Sequence, residues 1–83
     1  MSDVADRVKQ VVARTLKVDP ARVTDQARFV EDLGAESMQS IELVAAFEEE
    51  FDIEMEESAA LAVKSVGDAA TFIDNVIAEK NSG

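Results

Sequence analysis

Apolar residues recur along this chain at helical spacing in three long segments. Val4, Val8, Val11, Val12 and Leu16 follow an i, i+4, i+7, i+8, i+12 rhythm, which predicts a first helix over 3–16 with one apolar stripe. Ser2 or Asp3 is placed to cap it. Its valines are weak helix formers, so packing must hold this segment. Met38, Ile41, Val44, Phe47 and Phe51, with Leu43 beside them, predict a second helix over 37–51 whose other positions are largely acidic. Val66, Ala69, Ala70, Phe72, Ile73, Val76 and Ile77 predict a last helix over 66–79, opened by Ser65 and Asp68 as a capping box. The tail 81–83 is expected to fray.

The intervening segments are less regular. Residues 17–36 form a long connection. Asp19-Pro20 reads as an N-cap with proline at the first helical position, so a short turn through Val23 follows, then a loop at Thr24-Asp25-Gln26. Phe29, Val30 and Leu33 are too apolar for a free loop and are expected to tuck under the helices. Glu56 to Val63 fits a short third helix with Ala59, Ala60, Leu61 and Val63 inward. The pattern as a whole predicts an all-α fold of four helices.

Composition narrows the picture. Eighty-three residues, 47% apolar, make one small domain over 1–83 with a modest core. One proline and three glycines agree with a helical fold. The chain holds no cysteine and no histidine, which excludes disulfides and metal sites built on those ligands. No run approaches the roughly 20 apolar residues of a membrane span. The start Met1-Ser-Asp-Val-Ala-Asp6 lacks the basic and apolar regions of a signal peptide, so the expected location is the cytoplasm.

Charge is distributed unevenly. Residues 1–28 hold four acids and six bases; residues 29–63 hold eleven acids and no base; residues 64–83 hold three acids and two bases. The net charge of −10 therefore belongs to the middle of the chain. Such a field repels nucleic acid and anionic membranes and steers basic protein partners, although a solvated acidic surface is the plainer reading. Glu49 and Glu50 lie at the negative end of the second helix dipole, an unfavourable place. Like-charge repulsion over 48–57 predicts that the third helix is the loosest element at low salt.

Chemistry of the chain's own is scarce. Gly34, Gly67 and Gly83 are isolated and form no phosphate loop. The acids lack the EF-hand spacing and its turn glycine. Ser37 is the exception. It follows the turn glycine Gly34 and begins the acidic helix, where outward N–H groups favour an attached anion. With no histidine or cysteine to activate it, this hydroxyl suits modification by another protein better than attack on a substrate. The alternative is an ordinary N-cap serine.

The segment Leu33-Gly-Ala-Glu-Ser-Met38 resembles the phosphopantetheine-attachment motif of bacterial acyl carrier proteins, commonly Leu-Gly-x-Asp-Ser-Leu. Phe29–Ala35, Ile41-Glu-Leu-Val44, Glu48-Glu-Glu-Phe-Asp52 and Ser65–Ile73 are similar to the carriers of fatty-acid synthesis, and the resemblance spans nearly the whole chain. It implies a four-helix fold with a short third helix. It implies that a phosphopantetheinyl transferase moves 4'-phosphopantetheine from coenzyme A onto Ser37, and that the arm's thiol carries acyl groups as thioesters. It implies recognition of basic patches on acyl-transfer and lipid-synthesis enzymes by Glu36, Met38, Glu42, Glu48 and Glu49. It implies an acyl cavity walled by Phe29, Phe47, Val63, Ala69 and Phe72, and a monomer that is not an enzyme. Apolar patterning alone would make those five residues ordinary core.

The chain departs from the family pattern in several places, and Ala45 and Ala70 are small there. Glu36 stands for the usual aspartate, whose carboxylate helps hold the transferase's magnesium; Met38 stands for leucine, Gln39 for a frequent acid, Phe47 for a smaller aliphatic residue and Glu56 for a frequent proline. These changes imply a pocket or partner set different from a general carrier. The competing reading, from another class, is an acidic helical adaptor that docks proteins and is never modified.

Overall fold

The computed structural model describes residues 3–82, with side chains over 4–80. Helix α1 is Asp3–Leu16, a single 3-10 turn is Pro20–Arg22, α2 is Ser37–Phe51, α3 is Glu57–Leu61 and α4 is Val66–Ser82. The proposed cap at Ser2 lies outside the described residues, as does Gly83. The last helix runs to Ser82, beyond the predicted end at 79, because neither proline nor glycine interrupts that stretch.

Helix α1 packs on both α2 and α4, and α3 packs on α2. The valine stripe explains this arrangement. Val8, Val11 and Val12 are completely or almost completely buried, as are Val66 and Ile73 of α4. Leu43 and Phe47 close the core from α2, and Val23, Ala27, Phe29, Leu33 and Ala35 close it from the long connection. Burying a side chain such as Ile73 contributes about 1.5–3 kcal/mol, so α1 and α4 hold each other despite weak propensity.

Both α1 and α2 end in a left-handed residue, Lys17 (φ 57°) and Asp52 (φ 54°). Behind each, the next N–H returns five residues: Val18 to the Ala13 carbonyl at 3.1 Å, Ile53 to the Glu48 carbonyl at 3.1 Å. This is the Schellman closure, made here without the glycine that usually serves it. The acids at the end of α2 are offset from outside the helix. Arg7 of α1 donates to the Glu50 carboxylate at 2.9 Å and to its carbonyl at 2.7 Å, and its guanidinium lies 4.6 Å from the Phe51 ring centre. Lys80 of α4 donates to the Asp52 carbonyl. The dipole conflict expected at this end is thus eased by cations from both neighbouring helices.

The long connection is stitched to the segment between α3 and α4. Phe29 N–H donates to the Lys64 carbonyl at 3.0 Å, Val66 N–H to Ala27 at 2.9 Å and Gly67 N–H to Asp25 at 2.8 Å, with one antiparallel bridge between Arg28 and Ser65. Gly67 is required there: a Cβ would lie 2.9 Å from the Asp25 carbonyl oxygen. Asp19 caps the 3-10 turn as expected, accepting from Ala21 N–H at 2.9 Å.

Five apolar residues do not go where the pattern sent them. Val30 is 63% exposed. Residues 28–34 form a helix-like turn, closed by Leu33 N–H to the Arg28 carbonyl and Gly34 N–H to Val30, which sends Phe29 and Leu33 inward and Val30 out. Met38 (76% exposed) and Ile41 (52%) also face solvent. Leu43 and Phe47 define the inner face of α2, and Met38, nine residues before Phe47, emerges about two and a half turns away, on the opposite side. Helix α3 is shorter than Glu56–Val63, and its single inward face takes Ala60 alone, leaving Leu61 and Ala59 exposed. Val63 is half-buried against the core.

Candidate functional site

The site is organised by the start of α2. Gly34 has φ +71°, a left-handed conformation that glycine adopts freely, and it turns the chain into the helix. Ser37 is the first helical residue, and the N-cap is Glu36, one residue earlier than the serine-cap alternative would have it. Glu36 N–H donates to Gln39 Oε1 at 2.9 Å, and Ser40 N–H donates to the Glu36 carbonyl at 2.9 Å. Gln39, which replaces a frequent acid, therefore completes the cap. The Ser37 side chain is exposed and has no hydrogen-bond partner among the described residues. Its hydroxyl is left free beside the outward N–H groups of the first turn.

A cavity of about 330 Å³ opens close by, lined by Arg28, Phe29, Val30, Glu31, Ser40, Leu43, Val44, Phe47, Met55, Ala60, Leu61, Val63, Lys64 and Ala69. Of the five residues expected to wall it, Phe29, Phe47, Val63 and Ala69 come together here. Phe72 does not; it is half-buried elsewhere on α4. The sequence reading missed the other ten lining residues, Ser40, Leu43, Val44 and Lys64 among them. A signal was available for two of them: Ser40 and Val44 follow Ser37 at i+3 and i+7, on the same side of α2. The cavity thus begins about 4.5 Å along the helix axis from Ser37 and reaches Phe47 about 15 Å along it.

The lining is graded. Phe29, Leu43, Phe47, Ala60 and Ala69 are buried, whereas Arg28, Val30, Glu31, Leu61 and Lys64 are exposed and form the rim. At that rim Arg28 is occupied. Its guanidinium pairs with Glu31, and its backbone and side-chain N–H groups reach Asp32 at 2.8 and 3.0 Å. Donation from Arg28 side chain and backbone holds the Asp32 carboxyl below its ordinary range, and the same pairing raises Arg28.

The acids named from sequence divide into two groups. Glu36, Glu42 and Glu49 are exposed on or before α2, with Met38 between them. Glu48 is half-buried, and its carboxylate accepts the Met55 N–H at 2.9 Å, which fixes the chain leading to α3. Glu56 caps α3 by accepting from Ser58 N–H at 3.2 Å and Ala59 N–H at 2.8 Å. That explains how a glutamate serves where proline is frequent. Among the described residues no group of three acids could hold a metal ion, and no helix is long and apolar enough to cross a membrane.

The site is thus an unengaged serine at a helix start, next to an apolar cavity in a short helical bundle. The comparisons with known proteins agree. Residues 6–73 match the family described as phosphopantetheine attachment site. The acyl carrier protein of Phenylobacterium zucineum is 53% identical over 73 residues, covering 88% of this chain and 92% of that one. That of Caulobacter vibrioides is 52% identical over 73 residues, covering 88% and 94%. A solved structure from Mycobacterium tuberculosis, described as an acyl carrier protein, superposes with a TM-score of 0.80 at 29% identity, covering 87% of this chain and 96% of that one.

The chain belongs to the acyl carrier protein family. It is a carrier of acyl groups and not an enzyme, and its cofactor is covalently attached 4'-phosphopantetheine. The residues present fit that group: a free, exposed hydroxyl at a helix N-terminus accommodates a phosphodiester, favoured by about 0.3–1 kcal/mol through the helix dipole.

Proposed function

We propose that Ser37 bears the arm and that the cavity walled by Phe29, Phe47, Val63 and Ala69 shelters the acyl chain delivered by it. The observation that carries this reading is the stripe from Ser37 through Ser40 and Val44 to Phe47, which runs from the free hydroxyl directly into the cavity. At ~30 Å³ per methylene, a cavity of about 330 Å³ would accommodate a chain of about ten carbons. The arm supplies the thiol that this chain lacks; the protein supplies position and cover.

The exposed carboxylates of Glu36, Glu42 and Glu49 flank Met38 and Ile41, giving an apolar centre with an anionic rim. This surface suits basic patches on the transferase and on cytoplasmic enzymes of fatty-acid or related lipid synthesis, with the carrier acting as a monomer. Glu48 contributes less directly, since Met55 occupies one of its oxygens. Family membership favours this reading over an unmodified adaptor. The test is an intact mass after incubation with coenzyme A, magnesium and a promiscuous transferase. A gain of one phosphopantetheine, abolished in Ser37→Ala, is expected. A gain that survives in Ser37→Ala places the arm elsewhere and removes the assignment.

A further inference from the structure

We infer that Lys64 makes this carrier favour acyl chains oxygenated close to the thioester, of which a 3-hydroxyacyl chain is the simplest, over saturated chains of equal length. The inference rests on the reading of Ser37 and the cavity given above. A chain arriving from Ser37 lays its hydrocarbon end on the buried apolar floor. In this reading its thioester end and first few carbons stay at the rim, which the exposed polar residues line.

The polar residues of the lining are Arg28, Glu31 and Lys64 at the rim and the half-buried Ser40. Arg28 and Glu31 are already paired with each other, and Arg28 is further held by Asp32. Lys64 differs. Among the described residues its ammonium has no carboxylate within ion-pair distance, although the molecule carries a net charge of −10. Its chain neighbours Ala62, Val63 and Ser65 carry no charge, and the nearby acids of the connection are committed to Arg28. Its backbone is fixed at the rim, because its carbonyl accepts the Phe29 N–H at 3.0 Å. A lysine ammonium only donates. A hydroxyl or keto oxygen on the chain offers it an acceptor. A methylene at the same place strips water from the ammonium and returns nothing, which is unfavourable.

The test uses the full chain as wild type, Lys64→Met and Lys64→Arg. Each is charged from decanoyl- or 3-hydroxydecanoyl-coenzyme A by the transferase, and loading is read by intact mass. The rate of thioester cleavage by hydroxylamine is then divided by that of the same acyl group on free pantetheine, which removes intrinsic reactivity. Wild type is expected to protect the 3-hydroxy chain about two- to fivefold more than the saturated one, the range for a solvent-exposed charged contact. Lys64→Met should equalise the two chains while still protecting decanoyl, which shows the fold and cavity intact. Lys64→Arg should keep the preference. Equal protection in wild type overturns the inference. So does an equal loss for both chains in Lys64→Met, since Lys64 would then be holding the arm rather than reading the cargo. Failure of the mass gain, or no protection of either chain in wild type, instead sinks the reading of Ser37 and the cavity, and this inference with it.

Discussion

Filling the cavity from α3 should raise stability and shorten the favoured cargo at the same time. Ala60 is 8% exposed, is the one inward residue of α3 and lines the cavity. Ala60→Leu adds three carbons to that wall. At about 0.8 kcal/mol per buried methylene the ceiling is ~2.4 kcal/mol. Cavity-filling changes usually deliver about 0.5–2 kcal/mol, because part of the gain goes into adjusting neighbours. For a domain of this size each kcal/mol moves Tm by about 4–8 °C. The added group takes about 90 Å³ at ~30 Å³ per carbon, a substantial part of the roughly 330 Å³ present. The best-sheltered chain should therefore lose about three carbons. The assay is calorimetry of the apo form and of forms loaded with chains of six to fourteen carbons; helix circular dichroism follows the same transition. A lower apo Tm would mean that no space exists at Ala60. A higher apo Tm with an unchanged chain-length profile would mean that the space exists and the cargo lodges elsewhere.

Three further predictions concern the frame around the site. Glu56→Ala removes the acceptor for the Ser58 and Ala59 N–H groups and should cost about 1 kcal/mol, read as a lower Tm and as faster hydrogen exchange in α3. Lys17→Gly relieves the left-handed strain at φ 57° and should stabilise by about 1 kcal/mol in denaturant unfolding; an unchanged midpoint would refute the strain argument. The Asp32 carboxyl is held below its ordinary 3.8 by Arg28, so its contribution is full above that value and fades as pH falls through the lower folded one. Asp32→Asn should therefore lower Tm at neutral pH, with the gap to wild type closing in strong acid.

Helix starts and the buried stripes of α1 and α4 were legible because each segment has one apolar face and one polar face. The start and end of α2 were legible too, but its buried face was not, because apolar residues lie on more than one side of it. Periodicity identifies the helix but cannot choose between the Leu43–Phe47 face and the Met38–Ile41 side; only α1 packing against it decides. Val30 was misplaced for a similar reason: apolar character does not reveal the turn built by Arg28 and Asp32 that rotates it outward. The serine itself was legible from its motif. That Glu36 and Gln39 would form the cap, and so release its hydroxyl, depends on a side-chain contact that residue preferences do not foretell. Glu48 shows the opposite limit, an acid whose charge suggested a surface role and whose carboxylate is tied to Met55 N–H.

The three main-chain bonds joining residues 25–29 to 64–67 make the connection and the root of α4 a single rigid doorframe. Helix α3 is the leaf hung within it, since the main-chain bonds of 60–63 are all to its own residues at 56–60. Local opening of those five residues would break none of the three bonds of the frame. Barring that door would be a matter of stiffening α3, not of tightening the frame.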